Sequence, residues 1–349
     1  MPSYFRPELK KIRGYELHQP AHAIKLNQNE SPYDVPLALK GKILEHLREL
    51  PWNRYPLPYL DDLCGRLADK WNHPPKGVVV TNGSNILIQE LAILANKNLP
   101  LLTVTPAFSL YELVGKMVGR KVVTVPLQDD FSLPLDRFLK TLKRTKPSVV
   151  FLANPNAPTG NLFPEEAILA ILKKSSSLVV IDEAYFEFSG KTLLPHLRRF
   201  PHLVLLRTFS KAYSLAGARL GYTLCHPEVA REIRKVLLPF GVSALSVSIA
   251  KTLLDHPEVV QETARTIIQE RNQLLREMQR LVGITVYPSS ANYLLFRTKN
   301  SKRLEQKLLS QGILIRDVSN KTHLKNCLRV TVGSPEENNQ FLKTLKASL

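Results

Sequence analysis

The run Arg207-Thr-Phe-Ser-Lys-Ala-Tyr-Ser-Leu-Ala-Gly-Ala-Arg-Leu-Gly-Tyr222 concentrates more potential chemistry than any other stretch of this chain. Lys211 follows two hydroxyl residues, Thr208 and Ser210, and precedes Arg219, with Gly217 and Gly221 in the same segment. The residues before it, Leu203-Val-Leu-Leu, have the character of a buried parallel strand. A lysine where such a strand ends lies at the mouth of a sheet, the place where open α/β folds bind ligands. There a desolvated amine can lose its proton and attack a carbonyl, while hydroxyls and a guanidinium hold a phosphate. Those are the demands of pyridoxal phosphate. An isolated Ser-Lys pair would read more simply as a surface lysine after a strand, and it is the whole segment that favours the cofactor.

Other strand ends carry polar residues that suit the same ligand. After Val78-Val-Val-Thr comes Asn82-Gly-Ser-Asn85 and then a helical pattern. Free amides at a helix start, beside a glycine that permits close approach, make an anion site, although Asn-Gly-Ser is also ordinary turn chemistry. After Val179-Val-Ile comes Asp182-Glu-Ala-Tyr185, whose first carboxylate is placed to keep a pyridine nitrogen protonated and the ring an electron sink. Asp-Glu after a strand also occurs in nucleotide-binding motors, but no Gly-Lys-Ser/Thr phosphate loop accompanies it. Asn154-Pro-Asn-Ala-Pro-Thr-Gly160 forms a rigid loop after a further strand.

The elements that must position these residues are legible as an alternation. Short β-branched runs at Gly77–Thr81, Leu101–Thr105, Lys121–Val125, Ser148–Leu152, Leu178–Asp182 and Leu203–Arg207 alternate with helical patterns such as Ile86–Ala95 and Pro164–Lys174. This predicts an α/β fold with a mainly parallel sheet and helices on both faces. After Pro257 a long amphipathic stripe (Val260, Ala264, Ile267, Leu274, Met278, Leu281) leads into shorter strand signals at Ile284–Tyr287, Asn292–Phe296, Ile313–Arg316 and Leu328–Val332. The expected division is an N-terminal arm over residues 1–30, a large domain over 31–256 and a smaller α+β domain over 257–349.

Composition narrows the function classes. At 349 residues, 44% apolar and 22% charged, the chain has ample material for a core. No apolar run approaches the length of a membrane span, and the first residues lack a signal-peptide core, so a cytoplasmic location is expected. The three cysteines, Cys64, Cys225 and Cys327, have neither disulfide-framework nor metal-ligand spacing. A net charge of +18 raises the question of nucleic acid, but the lysines and arginines are scattered, without a basic tail or an aromatic-interleaved signature. Attraction of phosphate-bearing small molecules fits the charge better.

Taken together these motifs resemble the fold-type I aminotransferases, most closely the histidinol-phosphate aminotransferase family. The resemblance runs almost end to end through Leu26-Asn-Gln-Asn-Glu-Ser-Pro32, Arg54-Tyr-Pro56, Asn82-Gly-Ser-Asn85, Pro106–Tyr111, Asp182–Tyr185, the lysine segment, Ser290-Ala-Asn-Tyr-Leu and Leu328-Arg-Val-Thr-Val-Gly333. It implies that Lys211 forms an aldimine with pyridoxal 5′-phosphate and then moves the substrate's proton. It implies that Asp182 pairs with the pyridine nitrogen, Tyr185 bonds the ring hydroxyl and Tyr111 stacks on the ring. Ser84, Asn85, Thr208, Ser210 and Arg219 would hold the cofactor phosphate, with Tyr55 reaching it from the partner subunit of a homodimer. Arg329 would bind the substrate α-carboxylate. Tyr15 and Arg316 would meet the imidazole and phosphate ends of the substrate, or else be a packing tyrosine and a surface arginine.

The implied reaction is ping-pong transamination from histidinol phosphate to 2-oxoglutarate, giving imidazole acetol phosphate and glutamate in histidine biosynthesis. An aromatic or other amino-acid aminotransferase and a threonine-phosphate decarboxylase are the rivals within the superfamily, and a catalytically silent basic binding protein is the rival outside it. Three positions depart from the family's pattern. Ala157 stands where an asparagine usually bonds the ring hydroxyl, Gly241 replaces a frequent asparagine, and Leu57 replaces a frequent aspartate. With Ala157, either Tyr185 bears the ring-hydroxyl contact alone or Asn156 shifts into it.

Overall fold

The computed structural model describes Tyr4 and residues 24–349. Its β-branched runs become strands β1 (Ile24–Lys25), β2 (Val78–Thr81), β3 (Leu101–Thr105), β4 (Val122–Pro126), β5 (Val149–Ala153), β6 (Leu178–Asp182), β7 (Leu203–Thr208), β8 (Gly221–Cys225), β9 (Ile284–Tyr287), β10 (Tyr293–Thr298), β11 (Ile313–Leu314), β12 (Arg316–Asp317) and β13 (Cys327–Thr331). Helices α1 (Leu37–Glu49) and α2 (Leu57–Lys70) precede β2, while α3 (Ser84–Leu94), α4 (Ser109–Met117), α5 (Leu135–Thr145), α6 (Glu165–Lys174) and α7 (Phe186–Ser189) fill the connections up to β7. Next come α8 (Pro227–Val236), α9 (Ala244–Asp255) and α10 (Pro257–Gln279), followed by α11 (Ser301–Ser310) and α12 (Pro335–Ser348).

Seven strands form one sheet in the order β2-β8-β7-β6-β5-β3-β4. Only β8 runs against the others, pairing antiparallel with both β2 and β7. β5, β7 and β8 are buried along their whole length, as strands covered on both faces must be. β8 is the strand that the apolar runs did not announce. It follows β7 after one short loop, the lysine segment, and its first residue packs against the start of α3. A Cβ on Gly221 would come within 2.2 Å of the Ser84 nitrogen, so only glycine lets this strand begin there.

β12-β13-β10-β9 form a second, antiparallel sheet, and β1 pairs parallel with β11 beside it. Phe296 and Val330 from this sheet pack with Leu274 and Met278 of α10, Leu304 and Leu308 of α11, Phe341 of α12, and Leu26 in a core distinct from that of the large sheet. Leu26 thereby ties the segment after β1 to the C-terminal part of the chain. Among the described residues, no helix is long and apolar enough to cross a membrane.

Candidate active site

The parallel direction of β2, β3, β5, β6 and β7 brings their C-terminal ends to one edge of the sheet, and the polar residues singled out in the sequence follow those ends. Asp182 closes β6, Thr208 closes β7, and Lys211 lies three residues further on. The Lys211 Nζ donates to the Gln28 carbonyl at 2.9 Å. The surrounding protein strips most of the hydration from this amine. That burial, reinforced by the positive Arg329 and Arg219 and opposed by Glu30 and Asp182, pushes it down to about 7. At neutral pH a large fraction is therefore the free-base nucleophile.

Asp182 is buried and accepts two hydrogen bonds, from the Tyr111 hydroxyl at 2.9 Å and from the Ala184 amide at 3.1 Å. Burial raises its carboxyl to about 6 in spite of these donors. A carboxylate held in this way lacks a full counter-charge and favours a cationic ring nitrogen beside it. Tyr111 lies flat on Phe151, with ring centroids 5.2 Å apart and planes within 8°. Tyr185 is buried edge-on to Tyr293, and burial drives its hydroxyl above the usual range, so the phenol remains protonated.

An anion cradle adjoins the lysine. The Thr208 hydroxyl accepts from the Ser210 amide at 3.0 Å, and the Ser210 hydroxyl accepts from Arg219 at 3.3 Å. Arg219 takes a left-handed backbone (φ 52°) and carries its guanidinium across Gly83, where a Cβ would sit 2.8 Å from Nη2. Gly83 itself has φ +83° and opens α3 without any side-chain cap, so the helix begins, uncapped, beside this guanidinium with Ser84 and Asn85 as its first residues. Two hydroxyls, a guanidinium and a bare helix start around glycine backbone match a phosphate monoester in charge and in shape.

On the far side of the lysine, Arg329 of β13 donates to the Asn27 carbonyl at 2.7 Å and stands over the Tyr293 ring at 5.3 Å. Arg316 is its register partner on β12, which puts both guanidinium side chains on one face of the second sheet. Tyr55 stands apart from all of these contacts. It is 71% exposed and stacks on Phe240 at 4.0 Å. Tyr15 lies outside the described residues, as does the side chain of Leu57.

The residues that sequence reasoning did not assign come from the Leu26–Pro32 motif. Asn27, Gln28 and Asn29 in succession meet Arg329, Lys211 and Tyr185, the last through a 2.9 Å bond from the Asn29 amide to the Tyr185 hydroxyl. The signal was an unbroken polar run after an apolar residue, but the partners of its first three members lie more than 150 positions away. A second missed group lies beside the strand ends. Arg207 is buried against the edge-to-face pair Trp71 and Phe186 and grips Glu183 with Nε and Nη2 at 3.0 and 2.8 Å. Asn156 is committed elsewhere. Its side-chain amide donates to the Pro106 carbonyl and the Thr159 hydroxyl, while Ala157 beside it is buried.

Known proteins share both the sequence and the fold of this chain. The sequence profile of the family described as "Aminotransferase class I and II" matches residues 21–345. The histidinol-phosphate aminotransferase of Caldanaerobacter subterraneus subsp. tengcongensis is 36% identical over 345 residues, covering 99% of this chain and 98% of that protein. The enzyme of the same name from Aquifex aeolicus is 38% identical over 344 residues, covering 98% and 97%. Among solved structures, histidinol-phosphate aminotransferase from Sinorhizobium meliloti in complex with pyridoxal-5′-phosphate superposes with a TM-score of 0.90, at 26% identity, over 100% of this chain and 98% of that one. With a matching profile over nearly its full length and relatives above one-third identity, this chain belongs to the class I and II aminotransferases.

Proposed function

We propose that this chain is a pyridoxal-phosphate-dependent aminotransferase acting on histidinol phosphate and 2-oxoglutarate, with Lys211 as the cofactor's covalent anchor. The observation that carries the reading is the Lys211 amine, depressed to about 7 by burial and by the positive Arg329 and Arg219, the latter part of the anion cradle. When bound, the cofactor supplies an electron sink for the carbon that bears the amino group.

The residues divide the remaining work. Thr208, Ser210, Arg219 and the amides of Ser84 and Asn85 hold the phosphate. Asp182 keeps the ring nitrogen protonated, Tyr111 packs on the ring, and Tyr185 donates to its hydroxyl. The Lys211 Nζ, once free, is the base for the substrate's α-proton and the acid that returns it. Arg329 takes the carboxylate of glutamate and 2-oxoglutarate in a two-pronged pairing. Arg316, on the same sheet face, takes the phosphate of histidinol phosphate, with Tyr15 at its imidazole end. One set of residues thus serves the donor and the acceptor in turn, which requires two successive half-reactions.

The partner is proposed to be a second copy of the chain. Leu37 (83% exposed), Trp52 (74%), Tyr55 (71%) and Leu238 (82%) lie on α1, the α1–α2 loop and the loop after α8, where Tyr55 and Phe240 stack. Large apolar side chains clustered on neighbouring elements need covering, and Tyr55 from this surface would complete the neighbour's phosphate cradle. The test of the substrate assignment is kcat/KM for histidinol phosphate against phenylalanine, tyrosine and threonine phosphate. The reading expects histidinol phosphate to lead. A preference for an unphosphorylated aromatic amino acid would reassign the substrate, and release of CO₂ from threonine phosphate would reassign the reaction.

A further inference from the structure

The Tyr185 hydroxyl accepts a 2.9 Å hydrogen bond from the Asn29 side-chain amide, and the contacts around Asn29 fix the direction of that bond. The Thr331 hydroxyl accepts from the Asn29 backbone amide at 2.9 Å, so its single proton goes to the Asn29 side-chain oxygen, 3.3 Å away. With its oxygen committed to Thr331, Asn29 must present NH₂ to Tyr185. The Asn29 carbonyl is held in turn by Asn292 at 3.0 Å, and Tyr185, Asn29, Thr331 and Asn292 are all buried. Asn29 has φ 55°, a left-handed backbone that asparagine tolerates better than most residues. Among the described residues, the Tyr185 hydroxyl makes this one hydrogen bond, as acceptor, which leaves its proton to give.

We propose that Asn29 is a positioning residue: its amide fills the acceptor side of the Tyr185 hydroxyl, turns the phenol proton toward the cofactor's ring hydroxyl, and so compensates for the donor that Ala157 does not supply. The inference rests on the reading of Lys211 as the cofactor's anchor. A neutral donor aimed at the ring oxygen favours its anionic form and lowers the pH at which the lysine-linked cofactor gives up its proton. The charged groups that face this position are Asp182 from β6, Arg329 from β13, Glu30 from the segment after β1, and Arg219 from the lysine loop. None of them is altered by a change of Asn29 to a neutral residue.

The experiment is a spectrophotometric pH titration of the bound cofactor in four proteins: wild type, Asn29→Gly, Tyr185→Phe and the double variant. Glycine accepts the left-handed backbone without strain and adds no charge. Asn29→Gly is expected to raise the titration midpoint by about one pH unit, the size of one lost hydrogen bond to a charged form. Tyr185→Phe should raise it at least as far, and Asn29→Gly should add nothing in the Tyr185→Phe background. A midpoint of Asn29→Gly coincident with wild type, or an equal shift in both backgrounds, would overturn the proposal. If Asn29→Gly does not fold, Thr331→Val, which releases the Asn29 oxygen, replaces it: a shift in the same direction supports the proposal and coincidence with wild type overturns it. A wild-type protein with no cofactor absorption would sink the reading of Lys211 and this inference with it.

Discussion

Replacement of Arg207 separates a charge from a fitted guanidinium. Arg207 and Glu183 are both fully buried, and the guanidinium makes two bonds to one carboxylate oxygen, a third to the Thr192 hydroxyl at 2.7 Å, and lies 4.1 and 3.8 Å from the Trp71 and Phe186 rings. In Arg207→Lys the charge survives, but the planar fork and its close contact with the two rings do not. One lost charge-assisted bond costs roughly 1.5 kcal/mol and weakened contact with two rings about 1 kcal/mol more, for a total of about 2–3 kcal/mol. Arg207→Ala leaves the Glu183 carboxylate buried with only Thr192 and the Leu193 amide as partners, and is expected to cost about 3–5 kcal/mol. Asp182 and Thr208 are the immediate chain neighbours of this pair, so both variants should also weaken cofactor binding. The assay is urea unfolding at fixed protein concentration, with cofactor affinity measured in parallel. An Arg207→Lys protein within about 0.5 kcal/mol of wild type, the range of an ordinary surface substitution, would refute the claim that guanidinium shape rather than charge holds these strand ends together.

Two further outcomes follow from the same neighbourhood and from the Ala157 loop. Burial raises the Glu187 carboxyl from 4.5 to about 8. A folded-state value above the unfolded one gives stability that is complete below about pH 4.5 and lost as pH rises through about 8, so wild type should lose as much as about 5 kcal/mol across that window and Glu187→Gln should flatten the loss. Thermal unfolding at pH 5, 7 and 9 tests it (in roughly 2 °C per kcal/mol steps), and parallel curves for the two proteins would count against it. Ala157→Asn restores a side-chain amide beside the ring hydroxyl and should lower the cofactor's titration midpoint. Coincident curves would show that position 157 has no part in tuning it.

The large sheet was readable because its central parallel strands, buried on both faces, are short runs dominated by Val, Ile and Leu, and the site residues follow directly where those runs end. Lys211, Asp182 and Thr208 are local in this sense. β8 was less legible because Gly221-Tyr-Thr-Leu-Cys mixes polar and apolar residues and begins with a glycine whose need is tertiary, the approach of Ser84. Asn29 and Arg207 were invisible as partners for a different reason. Their roles depend on which residues fold next to them: Tyr185 lies 156 positions from Asn29, and Trp71 far upstream of Arg207. Periodicity reports which face a residue occupies, but not what waits across it. The fate of Asn156 illustrates the same limit, because its amide is drawn to the Pro106 carbonyl, a partner no spacing in the loop itself suggests.

The central claim is that Lys211 carries the cofactor. Its most direct test is borohydride reduction of the cofactor-loaded protein followed by proteolysis and mass analysis of the peptides. The pyridoxyl mass is expected on the peptide that contains Lys211, and to be absent when histidinol phosphate is added before reduction. Modification of another lysine, or labelling that histidinol phosphate leaves unchanged, would contradict the account.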